Sequence, residues 1–284
     1  MHIAPFDNQN KPIVDVNDSC VPLNYFNIVK LTKGQAFEYA VPGYETCIVP
    51  ATGTVDVEIE GFKVGGLGNR TTDVWDGEPE GVYVPTGAKA TMVCTTDAAE
   101  VFVAGAKYDK VLYPFAVRSD ELDLVQYGSD DTKTHRKIKH ILGNKHHDRV
   151  GRLLVSELFT VGQGGWSGFP SHKHDTDRRD GDEVIETRHD ETYNFRFRPN
   201  HGSGVQMLQR EDGKSGDAYH LVDGSTICLD SGYHPCAVLP GYEMYYFTIL
   251  GGLSQRSLVQ YFQPSHADQL ETIPGIKDMI AKFK

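Results

Sequence analysis

The sequence predicts an all-β fold of two tandem sandwich or jelly-roll barrels with a short C-terminal helix, and three observations carry that expectation. First, 29 Gly and 14 Pro punctuate short apolar runs rich in Val, Ile, Tyr and Phe, such as "TCIVPATGTVDVEIEGFKVGG", "RLLVSELFTVG" and "GYEMYYFTILGG". Strands of about four to eight residues separated by turn residues are the signature of a sandwich or barrel. Second, the two halves of the 284 residues share an order of strand, glycine turn, strand and Pro/Gly-marked strand start. Third, only the tail "ETIPGIKDMIAKFK" carries helical spacing, with Ile276, Met279, Ile280 and Phe283 at i, i+3, i+4 and i+7.

The elements follow in chain order. In "TVDVEIEGFKV", Val55, Val57 and Ile59 alternate with Asp56, Glu58 and Glu60, which gives one buried and one wet face, with Glu60-Gly61 turning a hairpin. "GVYVPTGAKATMV" in the first half matches "SGYHPCAVLPGYEMYYF" in the second, each with an aromatic before a proline and then an apolar strand. A repeat of about 150 residues exceeds solenoid periods and reads as a duplicated domain. The stretch "GSDDTKTHRKIKHILGNKHHDRVGR" is polar and reads as a surface connector. We therefore expect a first barrel over residues 1–130, without metal ligands, and a second over 131–284 with the metal site. Pro274 suits the start of the tail helix, whose apolar stripe is expected to pack on its own barrel.

Composition narrows the partners. A net charge of -11 opposes nucleic acid, and no Lys/Arg run overcomes it. The start "MHIAPFDNQNKPIV" has neither a basic nor an apolar leader region, and no 18-residue apolar stretch occurs, so a soluble, cytoplasmic protein without membrane partners is expected. The five cysteines, Cys20, Cys47, Cys94, Cys228 and Cys236, lack C-x-x-C spacing and read as free thiols, with Cys236 a small core residue despite its closeness to His234.

The chemistry is concentrated in "SHKHDTDRRDGDEVIETRHDE", residues 171–191. His172 and His174, two apart on a strand, share a face. Glu191 leads into "ETYNFRFRP", where Glu191, Tyr193, Phe195 and Phe197 form one face and Thr192, Asn194, Arg196 and Arg198 the other. A carboxylate at the mouth of an apolar barrel costs several kcal/mol unless compensated, and a metal removes that cost. "GYHP" places His234 at the head of a later strand. Three imidazoles and one carboxylate suit a single divalent Zn, Mn, Fe, Ni or Co with open positions. His140, His146, His147 and His189 lie in polar stretches and read as surface groups, with a role for His189 beside a ligand left open. The charged run "DTDRRDGDE" reads as a solvated loop, with a lid over the metal as the alternative.

The order His-x-His, Glu and a glycine-led His resembles the cupin superfamily. In detail, "RLLVSELFTVG", "WSGFPSHKHDTD", "ETYNFRFRP", "LQRED" and "GYHPCAVLPGYEMYYFTILGG" are similar to the 5-deoxy-glucuronate isomerases of myo-inositol catabolism and their relatives, the 5-keto-4-deoxyuronate isomerases. The likeness covers most of residues 20–265. It implies a bicupin with its metal in the second barrel, held by His172, His174, Glu191 and His234. It also implies aldose–ketose isomerisation of a uronic-acid-type sugar, a small-molecule sugar acid as partner and a homodimer as the candidate assembly. Proton transfer would fall to Tyr246, Tyr193 or Glu157. The substrate carboxylate would fall to Arg196 or Arg210, both at positions matching the family, or to Lys173. Alternation points Arg196 away from Glu191. Where the family reads Tyr-Tyr-His-Arg after the Glu, this chain has Tyr193, Asn194, Phe195 and Arg196. The charged stretch between His174 and Glu191 and the extended tail are further departures. The ligand set alone also fits a dioxygenase or another sugar isomerase, and the fold a non-catalytic sugar-binding bicupin.

Overall fold

The computed structural model describes residues 1–211 and 215–282 of the chain. Two antiparallel barrels stand back to back. In the first, the larger sheet runs in the order Phe115–Val117, Gly81–Val84, Tyr44–Ile59, Ala98–Lys107, Asn24–Thr32, Pro12–Val14. The long strand Tyr44–Ile59 continues into a smaller sheet with Phe62–Arg70, Ala90–Cys94 and Ala36–Tyr39, and side chains of both sheets fill the barrel. Val55, Val57 and Ile59 point into that core, while Asp56 and Glu58 are exposed. Glu60 and Gly61 both take positive φ, 47° and 94°, as a two-residue hairpin turn of this hand requires.

The second barrel carries the sheet His2–Ile3, Thr226–Leu229, His189–Arg198, Glu243–Gly252, Leu153–Thr160, Arg136–Leu142, Asp123–Tyr127. It faces a four-stranded sheet of Trp166–Ser167, Cys236–Val238, Ser203–Leu208 and Asp217–Val222. Its edge strand His2–Ile3 comes from the chain's start, and Asp123–Tyr127 pairs with Arg136–Leu142. A cut at residue 130 falls between these last two partners, whereas a cut at Leu122 keeps them in one sheet.

The two large sheets meet across a shared apolar layer in which Phe26 and Phe102 of the first barrel contact Phe247 of the second, with ring centroids 6.1 and 4.8 Å away. Polar ties cross the same layer. Arg70 donates two hydrogen bonds to Glu157, at 2.7 and 2.6 Å, and Tyr245 Oη donates a third at 2.9 Å. Glu45 accepts from Tyr83 Oη at 2.6 Å and from the backbone N–H groups of Gly151, Arg152 and Leu153. Asp190 accepts from the Leu23 N–H at 2.9 Å.

Residues 128–152, expected as a polar connector, contain the buried strand Arg136–Leu142. Its charges deceive the eye because all but the half-buried Lys137 have found a buried setting. Lys139 Nζ lies 3.0 Å from Glu78 and 4.4 Å from the centroid of the Phe159 ring, and His140 Nδ1 is 2.8 Å from Ser156 Oγ. The expectation of surface histidines likewise fails for His140, His146 and His189, all buried, and holds for the exposed His147. The tail forms a 3-10 segment, Pro264–Glu271, and a helix, Ile276–Ala281, with Gly275 at φ 73° preceding the first turn. Ile276 and Met279 are buried with Tyr127 and Leu258 of the same barrel, whereas Phe283 lies outside the described residues. No helix is long and apolar enough to cross a membrane among the described residues.

Two outcomes follow. Glu157→Ala leaves the Arg70 guanidinium buried without its carboxylate and is expected to cost about 3–5 kcal/mol, read as a lower urea midpoint at constant slope. Burial lowers His140 and His189 to about 4, below their ordinary value of 6.5. The unfolded chain therefore binds protons between pH 6.5 and 4 that the folded chain refuses. This contribution to stability is complete above pH 6.5 and is lost as the pH falls through that window, by several kcal/mol in total. Urea midpoints measured from pH 7.5 to 4.5 should fall monotonically below pH 6.5.

Candidate metal centre and its cavity

The short strand His172–Lys173 pairs with Tyr261–Phe262, and the chain continues extended through His174, so the two imidazoles turn inward while Lys173 turns away. Gly232 positions His234: its φ is 93°, and a Cβ there would stand 2.8 Å from the Gln209 carbonyl oxygen. Glu191 enters from His189–Arg198, a strand paired on both sides. Nitrogen atoms of His172, His174 and His234 all lie within 4.8 Å of one another. Glu191 Oε2 is 3.0 Å from His174 Nε2 and 3.2 Å from His234 Nε2.

The donor set fits a divalent cation. His174 Nδ1 lies 3.1 Å from the His189 carbonyl oxygen, and His234 Nδ1 2.8 Å from that of Gly232, contacts that fix each ring with its Nε2 directed at the cluster. His234 Nε2 is buried and makes no hydrogen bond, an orphaned acceptor facing a carboxylate. Burial, then the neighbouring His234 and His174, hold His172 well below its usual range and keep it neutral. Although burial pushes Glu191 up, the bond to His174 and the close approach of His234 prevail and keep its carboxyl ionised. Three imidazoles with one anionic oxygen in a buried pocket are what a borderline divalent metal binds.

These groups face a narrow cavity of about 40 Å³, walled by Tyr127, Ile138, Leu158, Tyr193, Tyr246 and Met279 among others. The Tyr193 and Tyr246 rings lie 4.6 Å apart, and the Tyr246 hydroxyl bonds to Ser167 Oγ. Burial above all pushes both phenols well above their usual range, so they remain protonated and act as donors. Gln260 Nε2 sits 3.0 Å from His172 Nε2, at the cavity wall.

The other residues singled out in the sequence lie elsewhere. Glu157 is on the opposite face of its strand from Ser156 and Leu158, locked to Arg70 between the barrels, so it cannot serve as a proton-transfer group in this cavity. Arg196 faces the first barrel, where it donates to Glu100 at 2.7 Å and borders a separate cleft with Lys30 and Asp223. Lys173 is buried against Glu186 at 2.8 Å and Asp175 at 2.7 Å. Arg210, partly exposed, holds the Ser231 carbonyl at 3.0 Å and also bonds the Ser231 hydroxyl. None of these three cations walls the cavity, because each already has a partner of its own. Sequence reading did not single out Ser167 and Gln260, and it took His140 for a surface group; the signal available there was the alternation of Arg136, Ile138 and His140 within a segment that looked too polar to be a strand.

The charged insertion is a built element. Arg178–Asp180 and Glu183–Glu186 form a hairpin around Gly181 at φ 56°. Its tip is exposed, but Glu186 is fully buried and accepts from Lys173 Nζ and the Asp175 N–H. Asp175 in turn accepts from the Gly232 N–H at 2.8 Å, which joins the hairpin to the turn that carries His234.

Comparison with known proteins agrees with this architecture. An IolB-like protein from Salmonella typhimurium LT2 superimposes with a TM-score of 0.79 at 25% identity, over 94% of this chain and 93% of that one. A variant of Bacillus subtilis oxalate decarboxylase shares the fold at 10% identity, with a TM-score of 0.59 over 88% of this chain and 75% of that one. Among curated proteins, the 5-deoxy-glucuronate isomerase of Geobacillus kaustophilus (strain HTA426) is 29% identical over 86% of both chains. That of Shouchella clausii (strain KSM-K16) is 28% identical over 84% of this chain and 85% of its own. The model of the KduI/IolB family matches residues 2–269, nearly the whole chain, and the protein belongs to that family.

Proposed function

We propose that this isomerase converts a uronic-acid-type aldose to its ketose, with 5-deoxy-glucuronate to 5-dehydro-2-deoxy-gluconate as the best-supported pair, in myo-inositol catabolism. Kinship with proteins named for that activity supports the substrate class. The observation that carries the reading is the convergence of three imidazoles and one carboxylate beside two buried phenols in a small cavity.

His172, His174, Glu191 and His234 would hold one divalent ion, drawn from Zn, Mn, Fe, Ni and Co. When bound, it would polarise the carbonyl and adjacent hydroxyl oxygens of the sugar. The remaining steps belong to the chain. Isomerisation moves a hydrogen between neighbouring carbons while negative charge develops on the oxygens. Tyr246 and Tyr193, protonated and side by side, can donate hydrogen bonds to that charge, and their low-dielectric surroundings strengthen the bonds. Ser167 orients the Tyr246 hydroxyl. Leu158, Leu250, Leu258 and Met279 keep bulk water from the reacting carbons. The neutral His140 reaches the cavity wall through Ser156, which makes a proton relay from that side available.

Purified protein should contain about one equivalent of a divalent transition metal by elemental analysis. His172→Ala and Glu191→Ala should each lose the metal and lower kcat/KM by about 100-fold or more. Proton NMR in D₂O should show solvent deuterium entering the product without oxygen consumption; oxygen uptake with Fe(II) would instead mark a dioxygenase. Tyr246→Phe should retain the metal yet reduce kcat by about 100-fold with a smaller change in KM, as expected for a donor that acts on developing charge.

A further inference from the structure

We propose that Arg136 is the carboxylate-recognition residue of the cavity: its guanidinium awaits an anion, and the sugar acid supplies it. The identity of that anion rests on the isomerase reading above; the unpartnered edge of Arg136 does not.

Arg136 is 1% exposed. Nη1 donates to the Trp166 carbonyl oxygen, but Nε and Nη2 have no hydrogen-bond partner among the described residues. Those two nitrogens present their N–H groups side by side along one edge of the guanidinium, the edge that grips a carboxylate with two parallel hydrogen bonds. The other well-buried arginines are already engaged: Arg70 by Glu157, Arg196 by Glu100, and Arg256 by the carbonyl oxygens of Leu142, Gly143 and Leu153. A buried guanidinium without an anion is costly, so an incomplete edge is a position held for a ligand.

The register places Arg136 one cross-strand row beyond the cavity wall, next to two of its residues though not itself among them. On the inner face of the large sheet, Tyr193, Thr248, Ser156 and His140 form one cross-strand row, and Phe195, Tyr246, Leu158 and Ile138 form the next. Phe197, Met244, Thr160 and Arg136 follow. Arg136 thus shares a face with Ile138, a cavity-wall residue, and its Cζ lies 5.8 Å from the centroid of the Tyr127 ring, another wall residue. Trp166, which anchors Nη1, is followed by Ser167, whose hydroxyl holds Tyr246. The positive charge reaches Tyr246, where it opposes the effect of burial. A six-carbon aldose acid with its reactive end at the histidines carries its carboxylate at the far end of the chain, on the Arg136 side of the two tyrosines.

The test compares metal-loaded wild type with Arg136→Gln and Arg136→Lys, folding being checked by circular dichroism. Two readouts are taken: kcat/KM for 5-deoxy-glucuronate and for its neutral counterpart 5-deoxy-glucose, and the shift in Tm caused by D-glucuronate against D-glucose. The inference expects Arg136→Gln to lower the preference for the acid over the neutral sugar by about 100-fold, chiefly through KM, and to abolish the extra stabilisation by glucuronate. Arg136→Lys, which keeps the charge without the fork, should lose about tenfold. Parallel loss on both sugars, or a preference and Tm shift unchanged in either folded variant, overturns it. If Arg136→Gln does not fold, Arg136→Lys decides alone. If wild type isomerises no uronate yet glucuronate stabilises it in an Arg136-dependent way, the isomerase reading fails and this inference stands. If wild type isomerises the uronate and the variants keep its preference, this inference fails and the reading stands.

Discussion

The structure depends on the double burial of three neighbouring strands, Leu153–Thr160, His189–Arg198 and Glu243–Gly252. One face of each lies against the first barrel and the other against the metal cavity. Side chains alternate, so every residue on these strands is committed to one of two tasks, and a slip of one position would exchange them. Phe247 packs on Phe26 and Phe102, while Tyr246 and Thr248 wall the cavity. Glu157 is fixed by Arg70, while Ser156 and Leu158 look inward. The first barrel, which contributes no residue to the His172, His174 and His234 cluster, thereby supports the site through the back of the sheet that carries it.

The same logic accounts for the electrostatics. Between the barrels, three charged groups are fully matched: Arg70 with Glu157, Arg196 with Glu100, and Glu45 with three backbone amides and a phenol. Within the second barrel, two departures from this closure lie at or beside the cavity. At one, three imidazoles crowd a carboxylate and leave His234 Nε2 without a hydrogen bond. At the other, a guanidinium edge has no partner. Polar groups that a fold leaves unmatched in its interior are the ones a ligand completes. The hairpin inserted between His174 and Glu191 belongs to the satisfied class; its buried Glu186 steadies Lys173 and Asp175, and through Asp175 the turn before His234.

Legibility in the sequence followed the strength of the local pattern. The alternation of Val55, Val57 and Ile59 and the Glu60-Gly61 turn were plain because both are short-range features. His172, His174, Glu191 and His234 could be gathered into one set because their residue types and order resemble those of a known family. The strand Arg136–Leu142 was hidden. Five of its seven residues are Arg, Lys, Ile, Lys and His in sequence, and nothing local tells that Phe159, Glu78 and Ser156 stand ready to receive three of them. With the strand went Arg136 and His140, and the sequence offered the substrate's cation among arginines that already have partners.

The sequence by itself determined the β character of the chain, its punctuation into two similar halves and the residues able to bind a metal, because periodicity, turn chemistry and ligand type are properties of neighbours along the chain. Tertiary structure decided which charges are free. Whether Arg196, Lys173, Glu157 or Arg136 faces a ligand depends on what another strand, often in the other barrel, places opposite it. That pairing is set by register and sheet packing over separations of tens to more than a hundred residues, and no local pattern encodes it.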